Sequence, residues 1–401
     1  TSMDRALALD AQSAPTWANR GLVLQALGRL EEAGTSFRQA VELRPGFAEP
    51  LVNLARLEAR AGRMQTALEA AEQAGEHPEA LGLVGMIRAQ RGDLDGAWGA
   101  WSSAFSQSAD PGMARALGQL ALQRGRPQDA VAPLCVAYSS GAPVGPLLAD
   151  ALLQAGSGAS DEVLGALLVD PAVDAQRVQR PVRERLGGLS DDEAAAHPLT
   201  VPWLEQCVLQ HPDDLARLAR WRRHAREEGD VTLAAALAVQ AHWTEHADPI
   251  GVEELRAIEA SADHELRVAL LACAGPVDVP DVEPLRTLHR VAVAEPAEEL
   301  ALVATIPTLA AVEQGTSAAV AAMYEENPYP RRVGVHRPAP VPLGQTLASL
   351  GIPRPAGEVL RVLVAGGGTG QHPLQTATRY SDVDVLAIDL SRRSLARAAR
   401  V

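Results

Sequence analysis

Four times in the first third of the chain, a glycine is followed at fixed distances by small and apolar residues. The glycines are Gly28, Gly62, Gly92 and Gly125, spaced 34, 30 and 33 residues apart. Five residues after each stands an alanine: Ala33, Ala67, Ala97 and Ala130. Four further on come Phe37, Ala71, Trp101 and Leu134, and three beyond those Ala40, Ala74, Ala104 and Ala137. Steps of four and then three keep these positions on one face of a helix. Ala and Leu are abundant and β-branched runs are few, so helix is favoured over most of the length. Each unit therefore predicts two antiparallel helices joined at its glycine. One unit cannot bury its apolar face alone, so the units are expected to stack.

The clearest copy is APTWANRGLVLQALGRLEEAGTSFRQAVELRPGF at 14–47. Its Trp17, Gly21, Ala33, Phe37, Ala40 and Pro45 stand where the tetratricopeptide (TPR) repeat has its pattern residues, and it resembles that family. In this reading Gly21 and Ala33 let the helices approach closely, and Phe37 fills the space toward the next unit. The resemblance implies a superhelical array whose groove takes a protein or peptide partner. Arg56 and Arg60 are the one obvious cationic pair there, and the lysines that clamp a chaperone C-terminus are missing. Residues 3–10 fit the last helix of an earlier repeat, with Ala6 in the place of Ala40.

Four regions are read along the chain: TPR repeats over 1–140, an irregular helical solenoid over 141–322, a connector over 323–357 and an αβ segment over 358–401. In the second region, clusters such as Val169-Asp170-Pro171 and His197-Pro198 mark turns, and Ser190 and Asp213 are expected to cap helices. In the third, seven prolines fall between 328 and 355, which predicts extended or turn-rich chain. That segment is either a plain linker or a lid over a ligand pocket, with Tyr324, Asn327, Tyr329 and Arg331 as the lid residues.

The period changes at 359–364, where VLRVLV reads as a buried strand. Gly366, Gly368 and Gly370 follow, and Gln371-His372-Pro373 opens a helix. A second strand, VDVLAI at 383–388, ends at Asp389, and Ser391 caps a last helix. The fold class is thus mostly α, a TPR-like solenoid followed by the first βαβ of a Rossmann-like α/β domain. Backbone at the glycines can approach a ligand closely, and Asp389 can accept hydrogen bonds from ribose hydroxyls. The dinucleotide fingerprint needs a glycine where Gln371 stands, and the phosphate-binding P-loop needs a lysine. The spacing G-x-G-x-G, with an acid 23 residues after its first glycine, is instead that of class I S-adenosylmethionine (SAM) methyltransferases.

The segments YEENPYPRR, VLVAGGGTGQHPLQTA and VLAIDLSRRSLARA together resemble the TPR-containing class I methyltransferases, and EPAEELALVATIPTL resembles that family's pre-catalytic helices. The resemblance implies S-adenosyl-L-methionine as cofactor. It implies Ala365, Gly366, Gly368, Gly370, Gln371 and Leu390 as pocket positions, with Asp389 on the ribose. Gly367 stands where the family usually has Cys, and Val364 where many class I methyltransferases have an acid beside the methionine amine. Two strands of the seven in that fold fit before Val401, so the chain is expected to be an enzyme fragment, inactive alone. Its catalytic base and methyl acceptor stay unassigned. The alternative is a TPR interaction scaffold without catalysis.

Charge narrows the partners. The chain has a net charge of −14 and no lysine at all, which removes Schiff-base chemistry. Residues 320–401 carry ten Arg and six acids, against 26 Arg and 44 acids before them. So acidic a body argues against nucleic acid as the solenoid's partner, because phosphate neutralisation needs clustered cations. Cys135, Cys207 and Cys273 lack CxxC spacing and read as small buried hydrophobes in a reducing, cytoplasmic setting. No signal peptide opens the chain and no apolar run is long enough for a membrane span. His242, Glu245 and His246 match the H-x-x-E-H spacing of inverted zinc peptidases. With no third ligand in view, a solvated helix end is the preferred reading and no metal is expected.

Overall fold

Glycine in the left-handed region ends the first helix of every predicted hairpin. In the computed structural model Gly28, Gly62, Gly92 and Gly125 have φ of 75°, 77°, 81° and 68°. The N–H of the following residue then reaches back to a carbonyl five positions earlier. These bonds are Arg29 to Leu24, Arg63 to Glu58, Asp93 to Arg88 and Arg126 to Ala121, each 2.9 Å. This 6→1 closure is the Schellman cap, and it satisfies a carbonyl that the helix end would leave bare. The structure describes residues 10–156, 158–244, 250–308, 316–326, 328, 340–352 and 359–401. The chain divides into two compact units, 1–151 and 152–401.

The first unit contains α1 (Ala14–Ala26), α2 (Leu30–Leu43), α3 (Ala48–Arg60), α4 (Met64–Gln73), α5 (Pro78–Gln90), α6 (Leu94–Gln107), α7 (Pro111–Gln123) and α8 (Pro127–Ser139). They pair as four consecutive hairpins. Proline opens α5, α7 and α8, where its missing donor costs nothing. The expected close approach is present. A Cβ built at Gly21 would lie 2.4 Å from the Phe37 ring, one at Gly85 2.4 Å from the Trp101 ring, and one at Gly118 2.5 Å from Leu134. The second hairpin meets the same need differently: Ala55 and Ala71, both fully buried, replace the glycine and the large side chain. Residues 3–9 of the earlier helix read from the sequence lie outside the described residues.

The second unit is less regular. Its principal helices are α9 (Asp161–Val169), α10 (Thr200–Gln206), α11 (Pro212–Glu228), α12 (Val231–Thr244), α13 (His264–Ala272), α14 (Glu295–Val303), α15 (Thr316–Glu326) and α16 (Leu343–Ser349). α12 is buried on all sides, and α10, α11 and α13 pack against it. Its one buried amide, Gln240, is fully used. Gln240 accepts from the Leu209 N–H at 3.1 Å and donates to the carbonyls of Leu204 and Cys207. Trp203 and Trp221 meet edge to face, with centroids 6.4 Å apart. Ser190 caps its short helix in a reciprocal box with Glu193.

Two local expectations need correction. Asp213 is not the cap of α11: His211 is, its ring nitrogen accepting the Asp213 N–H at 3.3 Å, and Pro212 takes the first helical position. The segment from 323 is not extended throughout. α15 runs on through Met323–Glu326, and α16 lies among the prolines with Pro342 as its N-cap. The Asp382 carboxylate accepts the first two N–H groups of α16, Leu343 at 2.5 Å and Gly344 at 3.2 Å. Val341 pairs with Tyr380 as an isolated bridge.

β1 (Leu360–Ala365), α17 (Gln371–Arg379), β2 (Val383–Ile388) and α18 (Arg392–Arg400) end the chain. β1 and β2 are parallel, in register from Leu360↔Val383 to Ala365↔Ile388. This is the expected βαβ unit; a wider Rossmann-like sheet is not seen among the described residues. Among the same residues no helix is long and apolar enough to cross a membrane.

Candidate functional site

The register brings the carboxyl ends of both strands to one edge, where ligands bind in open α/β sheets. The loop between β1 and α17 is shaped by Gly366, Gly368 and Gly370, with φ of 69°, 53° and 105°. Few side chains tolerate such angles. The three glycines do different work. A Cβ at Gly366 or Gly368 would meet nothing within 4 Å, so the backbone there borders open space. A Cβ at Gly370 would lie 2.7 Å from the Ala398 Cβ, so this glycine lets α18 pack on the loop. Gly370 is buried, whereas Ala365, Gly366, Gln371 and Leu390 are exposed along the rim.

Asp389 holds the loop. One carboxylate oxygen accepts the Gly368 N–H at 2.8 Å and the other accepts the Ser391 N–H at 2.9 Å. Each oxygen keeps a further lone pair for a ligand hydroxyl. The fully buried Ser391 then caps α18 by accepting the Ser394 N–H at 3.0 Å. Sequence reasoning passed over Thr369. It is 2% exposed, and its hydroxyl has no hydrogen-bond partner among the described residues. Its signal was its place between Gly368 and Gly370. Val364, near the end of β1, is buried at 7% exposure, so an ionised side chain there would be costly.

Of the four residues read as a lid from the sequence, Tyr324 sits in α15 and is half-buried. Asn327, Tyr329 and Arg331 lie outside the described residues. The neighbour of Tyr324, Glu325, takes a structural part instead: its carboxylate accepts the N–H groups of Arg392 and Arg393 at the start of α18. α18 is also fixed along its length. Arg397 donates Nε and Nη2 to the two Glu299 oxygens of α14, both at 2.8 Å, and Nη1 to the Pro328 carbonyl at 2.8 Å. Arg400 adds bonds to Glu299 and Glu295.

The other sequence candidates are placed as follows. Arg56 pairs with Glu79 at 2.6 Å between the second and third hairpins, while Arg60 is exposed. His242 is in α12, and Glu245 and His246 lie outside the described residues. Among the described residues no group of three or more His, Cys, Asp or Glu is placed to hold a metal. Cys207 and Cys273 are buried, but Cys135 is partly exposed.

Residues 14–47 match the family model for the tetratricopeptide repeat. The chain thus carries a TPR within a protein of many helical repeats. Among solved structures it is similar to YrrB, described as a TPR protein with an unusual peptide-binding site. There the identity is 18% and the TM-score 0.34, covering 39% of this chain and 81% of that one. It is similar to PilF of Pseudomonas aeruginosa at 17% identity and a TM-score of 0.32, covering 64% and 99%. The Naa15/Naa10 complex bound to HypK is similar at 12% identity and a TM-score of 0.32, covering 79% and 47%. No curated protein matches the chain.

Proposed function

We propose that this chain is a protein-interaction scaffold whose α1–α8 hairpins take a polypeptide partner. The observation that carries this reading is the recurrence of one cap and one small-to-large contact through α1–α8, with a TPR match at its start. Arrays of this kind present extended surfaces built from neighbouring repeats. The test is capture of a partner from a peptide library, repeated with a chain lacking residues 14–139. Equal binding by the shortened chain would remove the proposal.

A second reading is favoured by a specific observation: open backbone at Gly366 and Gly368, an unmet hydroxyl at Thr369, and Asp389 at the same strand edge. These residues fit S-adenosylmethionine, and the chain would then be a SAM-dependent methyltransferase or part of one. The cofactor, when bound, supplies a methyl group for transfer to a nucleophile. The chain's own residues bind and orient it: Asp389 would take the ribose hydroxyls, and the glycine backbone would admit the ligand closely. No residue is assigned as a base.

Calorimetric titration with SAM and NAD tests it. Charged hydrogen bonds are worth about 1.5–3 kcal/mol each. Asp389→Ala is therefore expected to weaken SAM binding at least about tenfold. Because Asp389 also holds the loop, Asp389→Asn serves as the milder variant. Binding of SAM undiminished by both changes, or preference for NAD, would overturn this second reading.

A further inference from the structure

A recess of about 490 Å³ lies among α12, the turn after α13, the end of α15 and α18, and shares no lining residue with the glycine loop. Its volume falls within the range of small-molecule pockets, which are mostly apolar with a few placed polar groups. The lining matches that description. Ala241, Cys273 and Leu288 are among its apolar walls, and Arg393, Arg397 and Glu326 among its charged ones. Burial pushes the Cys273 thiol up to about 12, so it stays neutral and serves as wall rather than nucleophile.

The two arginines are not equivalent. Arg397 is committed to Glu299 through two bonds of 2.8 Å. Arg393 donates Nη1 to the carbonyls of Glu325 and Glu326, each at 3.3 Å. Among the described residues its guanidinium has no ion pair, and its buried Nε has no hydrogen-bond partner. A buried donor left unmet is costly, and more so on a charged group. A negatively charged group on an apolar body would complement both the Arg393 guanidinium, which lines the recess, and the walls. Glu326 is exposed, so water and salt screen its charge from such a guest.

We propose that this recess binds a small organic carboxylate, with Arg393 seating the carboxylate and the alanine-rich wall taking the aliphatic body. The site is independent of the glycine-loop reading, and its test touches no residue of that loop. The probes are octanoate and 1-octanol, titrated into the full chain by calorimetry. Octanoate is expected to bind at least about tenfold more tightly than 1-octanol, the difference one charged hydrogen bond makes. Arg393→Gln should remove that preference while leaving 1-octanol unchanged. Ala241→Trp should fill the recess and abolish binding of both probes, with circular dichroism confirming retained helix. No binding of octanoate, equal binding of the two probes, or octanoate binding that survives Ala241→Trp would overturn the proposal.

Discussion

Gly21 and Gly99 are both interior helical glycines, yet alanine should act oppositely at the two. In a helix Gly→Ala ordinarily gains about 0.5–1 kcal/mol. At Gly99, where a Cβ would meet nothing within 4 Å, that gain should be realised. At Gly21 the new methyl would stand 2.4 Å from a fully buried ring. Overpacking of this kind costs about 1–3 kcal/mol and outweighs the propensity gain. Urea unfolding should therefore place Gly21→Ala below the parent and Gly99→Ala above it. Phe37→Leu should be less harmful in the Gly21→Ala background than alone. If Gly21→Ala is as stable as the parent, the hairpin contact is not as tight as the geometry says.

Asp214 offers a pH-dependent contrast at the same scale. It is 3% exposed, Arg183 is 3.8 Å away, and its Oδ2 has no hydrogen-bond partner among the described residues. Burial holds its carboxyl above the usual range. A raised acid binds its proton more tightly in the folded state, so it costs nothing below the unfolded value of about 3.9. The cost sets in as pH rises from there through the folded value. Asp214→Asn removes that cost. Its stability relative to the parent should be greater at pH 7 than at pH 4 in paired denaturant titrations; a pH-independent difference would discard the assignment.

At the scale of elements, α18 is attached by a buried ion pair between Glu299, 1% exposed, and Arg397, 7% exposed. Removing one partner strands the other, which costs about 3–5 kcal/mol, whereas replacing both by apolar groups costs much less. Glu299→Ala should thus speed hydrogen exchange across 392–400, and Glu299→Leu with Arg397→Leu should largely restore protection. Unchanged exchange in Glu299→Ala would mean that the Gly370–Ala398 packing alone holds the helix. β1, α17, β2 and α18 were all legible as elements, because their signals are local: a β-branched run, glycines, an acid and a serine cap. The attachment of α18 to α14 was not legible. Nothing in the local sequence marks the partner of Arg397, because Glu299 is 98 residues away. The prolines around α16 misled for a related reason: the Asp382 carboxylate that receives its first turn comes from far downstream. Thr369 escaped notice because its pattern position says nothing about burial.

For the molecule as a whole, charge and architecture point the same way. Residues 152–319 carry 28 acids and 13 Arg, while 320–401 carry an excess of four Arg. The basic end of the chain is docked on the acidic stretch through the Arg397 and Arg400 pairs with Glu299 and Glu295. Arg397 and Arg400 are therefore engaged within the fold, and the acidic excess is poorly suited to phosphate backbones. The hairpins and the glycine loop belong to different compact units, so the two proposed activities should fail separately. Gly118→Ala overpacks Leu134 in the fourth hairpin, where the built Cβ lies 2.5 Å from that side chain. It should weaken capture of a peptide partner by the hairpins and leave SAM titration unchanged. Asp389→Ala should do the reverse. Both variants can be measured in the same two assays, with circular dichroism to confirm that each remains helical. If either single change abolishes both activities in a folded chain, the repeats and the loop act as one site, and the scaffold reading must be merged with the cofactor reading.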